Sequence, residues 1–152
     1  MAARPGSAYL GTFAAALALC ATICTTSVQA DDQDVVDYRR HIMKTLGEQT
    51  AVLGMMIREE VPSEDFATHV RVLAVAATTA RKAFEPNVAG GDAKPDVWAH
   101  WPDFSDRLDQ LVAATEALAK TAQEGGMAAA APKLQSALNC KSCHEVYRVP
   151  KK

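Results

Sequence analysis

The sequence has little of three features that would point to common classes of protein. No stretch interleaves basic with aromatic side chains, and the formal net charge is only −2, which argues against nucleic acid as a partner. No segment alternates apolar and polar residues in the way that strands do. Only four of the 152 residues are cysteine, too few and too closely paired for a disulfide framework. The length suits one domain preceded by a short presequence.

Charge is nearly absent from the first 30 residues, which predict a cleaved secretory signal peptide. Arg4 is the only charged side chain of this segment, and an apolar run from Tyr9 to Cys24 follows it. The segment ends in Val28-Gln29-Ala30, a small-residue cleavage pattern. A retained membrane anchor is the alternative, but the run is short for a spanning helix of roughly 20 residues. We expect a mature domain of residues 31–152 in the periplasm, with no stable membrane anchor.

Apolar residues recur at helical spacing in four segments of the mature chain. These predicted helices cover about 34–60, 63–84 and 103–123, and the fourth runs from about 127 or 131 to 147. Ser63 is expected to cap the second helix, and Pro132 to lie in the first turn of the fourth. The predicted breaks are Pro62, a loop over 85–102, and Gly125-Gly126. This pattern predicts an all-α fold, an antiparallel, up-down-up-down four-helix bundle.

The strongest motif is Cys140-Lys141-Ser142-Cys143-His144. It has the C-x-x-C-H spacing of covalent haem attachment, in which two thiols form thioethers with one porphyrin edge and the adjacent imidazole binds iron. On a helix the two cysteines and the histidine share one face. A thioredoxin-like pair would need strands, and zinc would need a second ligand cluster. The motif therefore predicts one covalent haem c with its iron bound by His144.

Three stretches resemble the class II c-type cytochromes, the cytochrome c′ family. The segment 140–148 resembles the C-terminus of that family, in which the haem motif lies at the end of the chain. Residues 38–43 resemble its first-helix haem-contact segment, and 90–95 with Trp98 resemble its loop between the second and third helices. The similarity covers 34–148 and departs at Pro132 and at 101–102. It implies a four-helix haem bundle that is not an enzyme.

The resemblance leaves two functions open on the distal side of the iron. Low-spin relatives of the cytochrome c-556 and c-554 type fill that side with a methionine and carry electrons. High-spin, five-coordinate cytochromes c′ leave it open and bind nitric oxide or carbon monoxide. The resemblance implies that Met43 is at the distal position, and its surroundings look closer to the c-556 branch. We therefore expect a low-spin electron-transfer cytochrome ligated by His144 and Met43, with the gas-binding protein as the alternative and core packing as the other interpretation of Met43.

Further contacts to the haem are implied by the resemblance alone. Arg39 and Arg40 match positions that contact haem propionates, although Arg40 suits a solvated helix face equally well. Asp92 would lie at the haem edge, and Arg148 by the proximal face or the end of the last helix. The expected partners are redox proteins of unknown identity, and the resemblance allows a monomer or a homodimer.

Overall fold

The fold is a bundle of α-helices, seen in a computed structural model that describes residues 30–150. Its helical segments are α1 (Asp32–Ile57), α2 (Phe66–Phe84), α3 (Asp96–Ala99), α4 (Trp101–Ala137) and α5 (Cys140–Tyr147). Two helices make up α4, because Gly126 breaks it with φ 63° and ψ −161°, a conformation that favours glycine. The prediction of an all-α four-helix bundle is confirmed. All but the last residue of the predicted signal peptide lie outside the described residues, within which no helix is long and apolar enough to cross a membrane.

The first two helices differ from prediction at their ends. At the start of α1 the Asp31 carboxylate accepts a hydrogen bond from the Asp34 N–H at 2.8 Å, and the Asp34 carboxylate accepts one from the Asp31 N–H at 3.3 Å. The helix stops before the predicted residue 60, because Glu59 takes a left-handed φ of 59°. The predicted cap of α2 is wrong, since Asp65 is the N-cap and Ser63 lies in the preceding turn.

The second half of the chain departs further from prediction. The predicted loop over 85–102 contains α3, and α4 already begins at Trp101. Pro132 is the sixth residue after Gly126, so it lies in the second turn of that helix rather than the first. The predicted continuous helix over 127–147 is wrong, because the backbone leaves the helical region at 138–139. The cysteine motif consequently has a short helix of its own.

Two clusters of buried side chains stabilise the bundle. The first joins α1, α2 and α4 at the end away from the cysteine motif, and its largest members are Leu53, Phe66, Val70, Leu73, Leu118 and Leu134. The second, which we call the motif-end cluster, consists of Ala80, Ala83, Phe84, Val97, Phe104, Leu108 and Tyr147. Each large apolar side chain buried in this way contributes about 1.5–3 kcal/mol to stability. Since Tyr147 is the last residue of α5, the motif-end cluster is the surface on which the motif helix packs.

Candidate haem site

The cysteine motif occupies the first five residues of α5. Cys140 begins the helix, and Cys143 and His144 follow at i+3 and i+4, so the predicted sharing of one helical face is present. Cys140 is exposed, whereas Cys143 and His144 are half-buried. Cys143 also packs against the motif-end cluster. The motif thus lies at the junction between an apolar core and solvent, as a covalent attachment site for a large ring requires.

Neither thiol has the electrostatics of a redox-active pair. Both cysteines are free rather than joined in a disulfide. Partial desolvation raises the pKa of the Cys140 thiol, although the residue is exposed as a whole, and desolvation by burial raises that of the Cys143 thiol, where Arg107 opposes it only in part. Thioredoxin-like pairs need a thiol whose pKa is lowered. Within residues 30–150 no three His, Cys, Asp or Glu side chains group as metal ligands.

Half-buried apolar side chains from three other elements share the motif-end cluster with the motif. Met43 and Ile42 of α1, Trp98 of α3 and Trp101 of α4 pack against the motif-end cluster, as Cys143 does. The structure therefore brings Met43 and the cysteine motif to the same end of the bundle. The neutral, flexible thioether of Met43 could serve there either as an iron ligand or as a core-packing side chain.

Arg39 is the most unusual side chain near the motif. It is only 3% exposed, and its Nη2 donates a hydrogen bond to the Val88 carbonyl at 2.7 Å. Its guanidinium carbon lies 5.6 Å from the ring centroid of Phe84 and 5.0 Å from that of Trp98. Its Nη1 is buried without a hydrogen-bond partner, and burial lowers the pKa of this arginine.

An unpaired donor on a buried cation is costly, because the group has lost its hydration without a replacement. An anionic acceptor placed against Nη1 of Arg39 would remove that cost. A haem propionate has this chemistry, so the residues present fit the predicted cofactor. The neighbouring Arg40 differs, because it is exposed and forms an ion pair with Asp37.

The loop before α3 holds the end of α5. Gly90 and Gly91 have φ values of 132° and 63°, and a Cβ on Gly90 would lie 3.0 Å from a methyl of Val36 in α1. Beyond them, the Asp92 carbonyl accepts a hydrogen bond from the Val149 N–H at 2.8 Å. The Lys94 N–H donates to the Tyr147 carbonyl at 2.9 Å. The exposed Asp92 thus lies beside the residues that follow the motif and contacts them through its backbone, whereas its predicted place at the haem edge stays a prediction.

The same loop borders an open cavity. The cavity measures about 490 Å³, and its lining includes Asn87, Gly90, Gly91, Pro95 and Trp98. Arg148, half-buried, begins the extended segment after α5 and pairs with Ala93 in a single antiparallel bridge. The predicted loop residues and Arg148 are therefore neighbours in space, although about 50 residues separate them in sequence.

One group of polar residues beside the motif escaped the sequence analysis. Arg107 of α4 donates from Nη1 to the Ser142 carbonyl at 2.8 Å, between the two cysteines. It also pairs with Asp103, which accepts a hydrogen bond from the Tyr147 hydroxyl. The i, i+4 spacing of Asp103 and Arg107 predicts their pairing, but nothing local indicates that they meet the motif helix.

Comparison with known proteins decides the family. The model of the family described as Cytochrome C′ matches residues 34–148. This chain belongs to the cytochrome c′ family. The prediction of covalent haem c with iron is confirmed by that membership, and the match covers the same residues as the resemblance seen in the sequence.

Individual cytochromes c′ align with this chain over most of their own length. The protein of Alcaligenes xylosoxydans xylosoxydans is 25% identical over 129 residues, which cover 80% of this chain and 98% of the relative. That of Rhodopseudomonas palustris is 33% identical over 125 residues, covering 78% and 84%. Recombinant native cytochrome c′ from Alcaligenes xylosoxidans superposes with a TM-score of 0.73 at 22% identity, covering 81% of this chain and all 100% of that one. The protein of Shewanella frigidimarina gives 0.68 at 21%, covering 81% and 100%.

These cytochromes c′ bear on the choice between the two predicted functions. The expected membership of the c-556 branch and the low-spin ligation by His144 and Met43 are not supported by them. The alternative, a cytochrome c′ proper, fits them better.

Proposed function

We propose that this protein is a periplasmic cytochrome c′ that binds nitric oxide or carbon monoxide at a five-coordinate haem. The observation that carries the proposal is the family match over residues 34–148, together with relatives that are themselves cytochromes c′. Solved structures similar to this fold include a nitrosyl complex of a variant cytochrome c′ from Alcaligenes xylosoxidans. We propose no catalytic role.

The residues of α5 would hold the haem. Cys140 and Cys143 are the proposed thioether links, and His144 is the proposed proximal ligand, all on one face of the helix. The haem supplies an iron centre that takes up a diatomic gas and changes oxidation state. Cys143 packs against the motif-end cluster, so a porphyrin bound there would have an apolar surface beside one of its attachment points.

Arg39 is the residue best placed to bind a propionate. Its buried, unpartnered Nη1 needs an acceptor, and an arginine–carboxylate contact is a strong, charge-assisted hydrogen bond. Arg40, Asp92 and Arg148 are weaker proposals, because the first two are exposed and the third is only half-buried.

On the distal side, Met43 would shield the open position rather than fill it. It is half-buried and packs with Ile42, Trp98 and Trp101 against the motif-end cluster. An apolar wall of this kind admits a small neutral gas and disfavours a bound water, because water would lack hydrogen-bond partners there. A methionine side chain has several rotatable bonds, so it can move aside for the gas without disturbing the backbone.

Optical spectroscopy of the untreated holoprotein tests the proposal. We expect high-spin ferric and ferrous spectra and ready binding of carbon monoxide to the ferrous form. The substitution Met43→Leu should leave the spin state unchanged, because leucine fills similar space and cannot ligate. Met55→Leu, at a more exposed position of the same helix, is the matched control for the loss of a methionine.

The second candidate function is the low-spin electron carrier, which the position of Met43 beside the motif end favours. A low-spin ferric spectrum with a thioether–iron charge-transfer band in the native protein would establish it. In that case Met43→Leu, but not Met55→Leu, would convert the protein to high spin. Those results together would refute the open distal site.

A further inference from the structure

Two hydrogen bonds fix α5 to α4 on either side of the Cys143-His144 pair. Before the pair, Arg107 of α4 donates from Nη1 to the Ser142 carbonyl at 2.8 Å. After it, the hydroxyl of Tyr147 donates to the carboxylate of Asp103, near the start of α4. Because α5 has only eight residues, restraint at both points leaves it little freedom to rotate or tilt.

The two anchors are parts of one network. Arg107 donates from Nε to Oδ2 of Asp103 at 2.8 Å and from Nη2 to Oδ1 at 3.3 Å. This two-point contact fixes the planes of both groups. The carboxylate is therefore held by the arginine of the first anchor while it accepts the hydrogen bond of the second.

Packing immobilises the tyrosine of this network. Tyr147 is 4% exposed, and its ring meets the ring of Phe104 edge-on, with centroids 5.0 Å apart and planes at 80°. The guanidinium carbon of Arg107 lies 5.7 Å from the Tyr147 ring centroid. Burial, followed by the hydrogen bond to Asp103, raises the pKa of Tyr147 to about 12, so the hydroxyl remains a donor at all physiological pH values.

An exposed ion pair would ordinarily add little to stability. The Asp103–Arg107 pair is different because each member also contacts the motif helix, one at Tyr147 and one at Ser142. The ring of His144 projects from the four-residue interval, 143–146, between those contacts. Its direction in space thus depends on the tilt that α4 imposes on α5.

We propose that Tyr147, Asp103 and Arg107 are positioning residues that set the orientation of α5 and, through it, the direction of the His144 imidazole toward the haem iron. The inference rests on the proposed attachment of haem to α5, but it does not depend on what occupies the distal side. Groups that orient a metal-binding histidine alter the properties of the metal. The network should therefore influence the midpoint potential and the asymmetry of the haem environment.

The test compares holoproteins that carry Tyr147→Phe, Asp103→Asn or both. Phenylalanine keeps the ring packing and removes the donor, and asparagine keeps the shape and weakens the contact to Arg107. We expect each variant to shift the midpoint potential and to change the shape of the Soret circular dichroism band. The double variant should shift by no more than the larger single change, because residues of one network are not additive.

Asp109→Asn is the matched control. Asp109 lies on the same helix and is paired with Arg81 of α2, so its loss removes an arginine–aspartate pair that does not include the motif helix. We expect its potential and Soret band to match those of the native protein. If Tyr147→Phe fails to give holoprotein, the positioning role is tested by comparing the potential and Soret band of Asp103→Asn with those of Asp109→Asn.

Unchanged potential and Soret dichroism in the variants, with only a lower melting temperature, would overturn the positioning role. So would shifts of equal size in Asp109→Asn. Neither readout needs an open distal site, and a low-spin spectrum of the native protein would refute the proposed gas binding without affecting this result. The two proposals can therefore fail separately.

Discussion

Arg39 combines two features that rarely occur together in a stable domain. It is a cation almost completely removed from solvent, and one of its donors has no hydrogen-bond partner. Stacking against Phe84 and Trp98 compensates only part of the lost hydration. A buried charge of this kind is expected where a ligand supplies the missing partner, which is why we assign it to a propionate.

Replacing Arg39 by methionine tests that assignment at the scale of one residue. If a propionate pairs with it, Arg39→Met leaves that carboxylate unpaired, and the holoprotein should lose about 3–5 kcal/mol of unfolding free energy. Arg40→Met removes an exposed ion pair with Asp37 and should cost at most about 1 kcal/mol. Urea unfolding followed in the Soret band measures both. An Arg39→Met holoprotein as stable as the native one would rule out the contact.

At the scale of the elements, the sequence was most informative where a signal is local. Periodicity located α1 and α2 to within three residues, and the cysteine spacing located the motif on a helix. The sequence was least informative where contacts between distant segments determine the position of an element. The break at 138–139 is followed by α5. The position of α5 depends on hydrogen bonds from Arg107 of α4 and from Lys94 of the preceding loop. No pattern within 127–147 indicates those contacts, so periodicity alone predicts a single long helix there.

Met43 shows the same limit at the site. Helical periodicity placed it on the inner face of α1, and the structure brings it to the motif end. Ligation depends on whether its sulfur can reach the iron, which the position of α5 determines rather than the sequence around Met43. The buried position of Arg39 and its unpartnered donor are equally invisible in the sequence, since Arg39 and Arg40 are adjacent and chemically identical there.

The glycine loop between α2 and α3 is an element whose geometry can be tested. Gly90 has a φ of 132°, and a Cβ there would lie 3.0 Å from Val36. Gly90→Ala should therefore destabilise the holoprotein by about 1–3 kcal/mol, through backbone strain and displacement of the loop from α1. Gly47→Ala is the control, because a Cβ on Gly47 meets nothing within 4 Å and helical alanine is favoured over glycine by roughly 1 kcal/mol. Thermal melts that rank Gly90→Ala at or above the native protein would contradict the proposed packing.

At the scale of the whole molecule, the start of the bundle suits the proposed processing. The capping box of α1 uses Asp31 and Asp34, so cleavage after Ala30 would leave its side chains intact. The first four-residue stretch of the mature chain would then carry three carboxylates near the helix N-terminus, where the helix dipole stabilises negative charge. Mature protein beginning at Asp31 in its amino-terminal sequence would support this boundary.

The division of the core into two clusters predicts that the bundle depends on its cofactor. The cluster away from the motif contains several large, fully buried side chains, including Leu53, Phe66 and Leu73. At the motif end, Met43, Trp98, Trp101 and Cys143 are only partly buried around a smaller cluster. A porphyrin would cover their apolar surface, and its propionate would neutralise the buried charge there. Much of the stability of this end should consequently come from the haem.

A protein that cannot attach haem should therefore lose order from the motif end. The double variant Cys140→Ala, Cys143→Ala should show reduced far-ultraviolet helicity and a broad, weakly cooperative melt, because the partly buried apolar groups lose their cover. Lys141→Ala, Ser142→Ala changes the two intervening residues and keeps both thiols, so it should mature, carry colour and melt cooperatively. Native-like helicity with a sharp transition in the colourless cysteine variant would mean that the helices pack into a complete core by themselves, and that the haem occupies a bundle already formed without it.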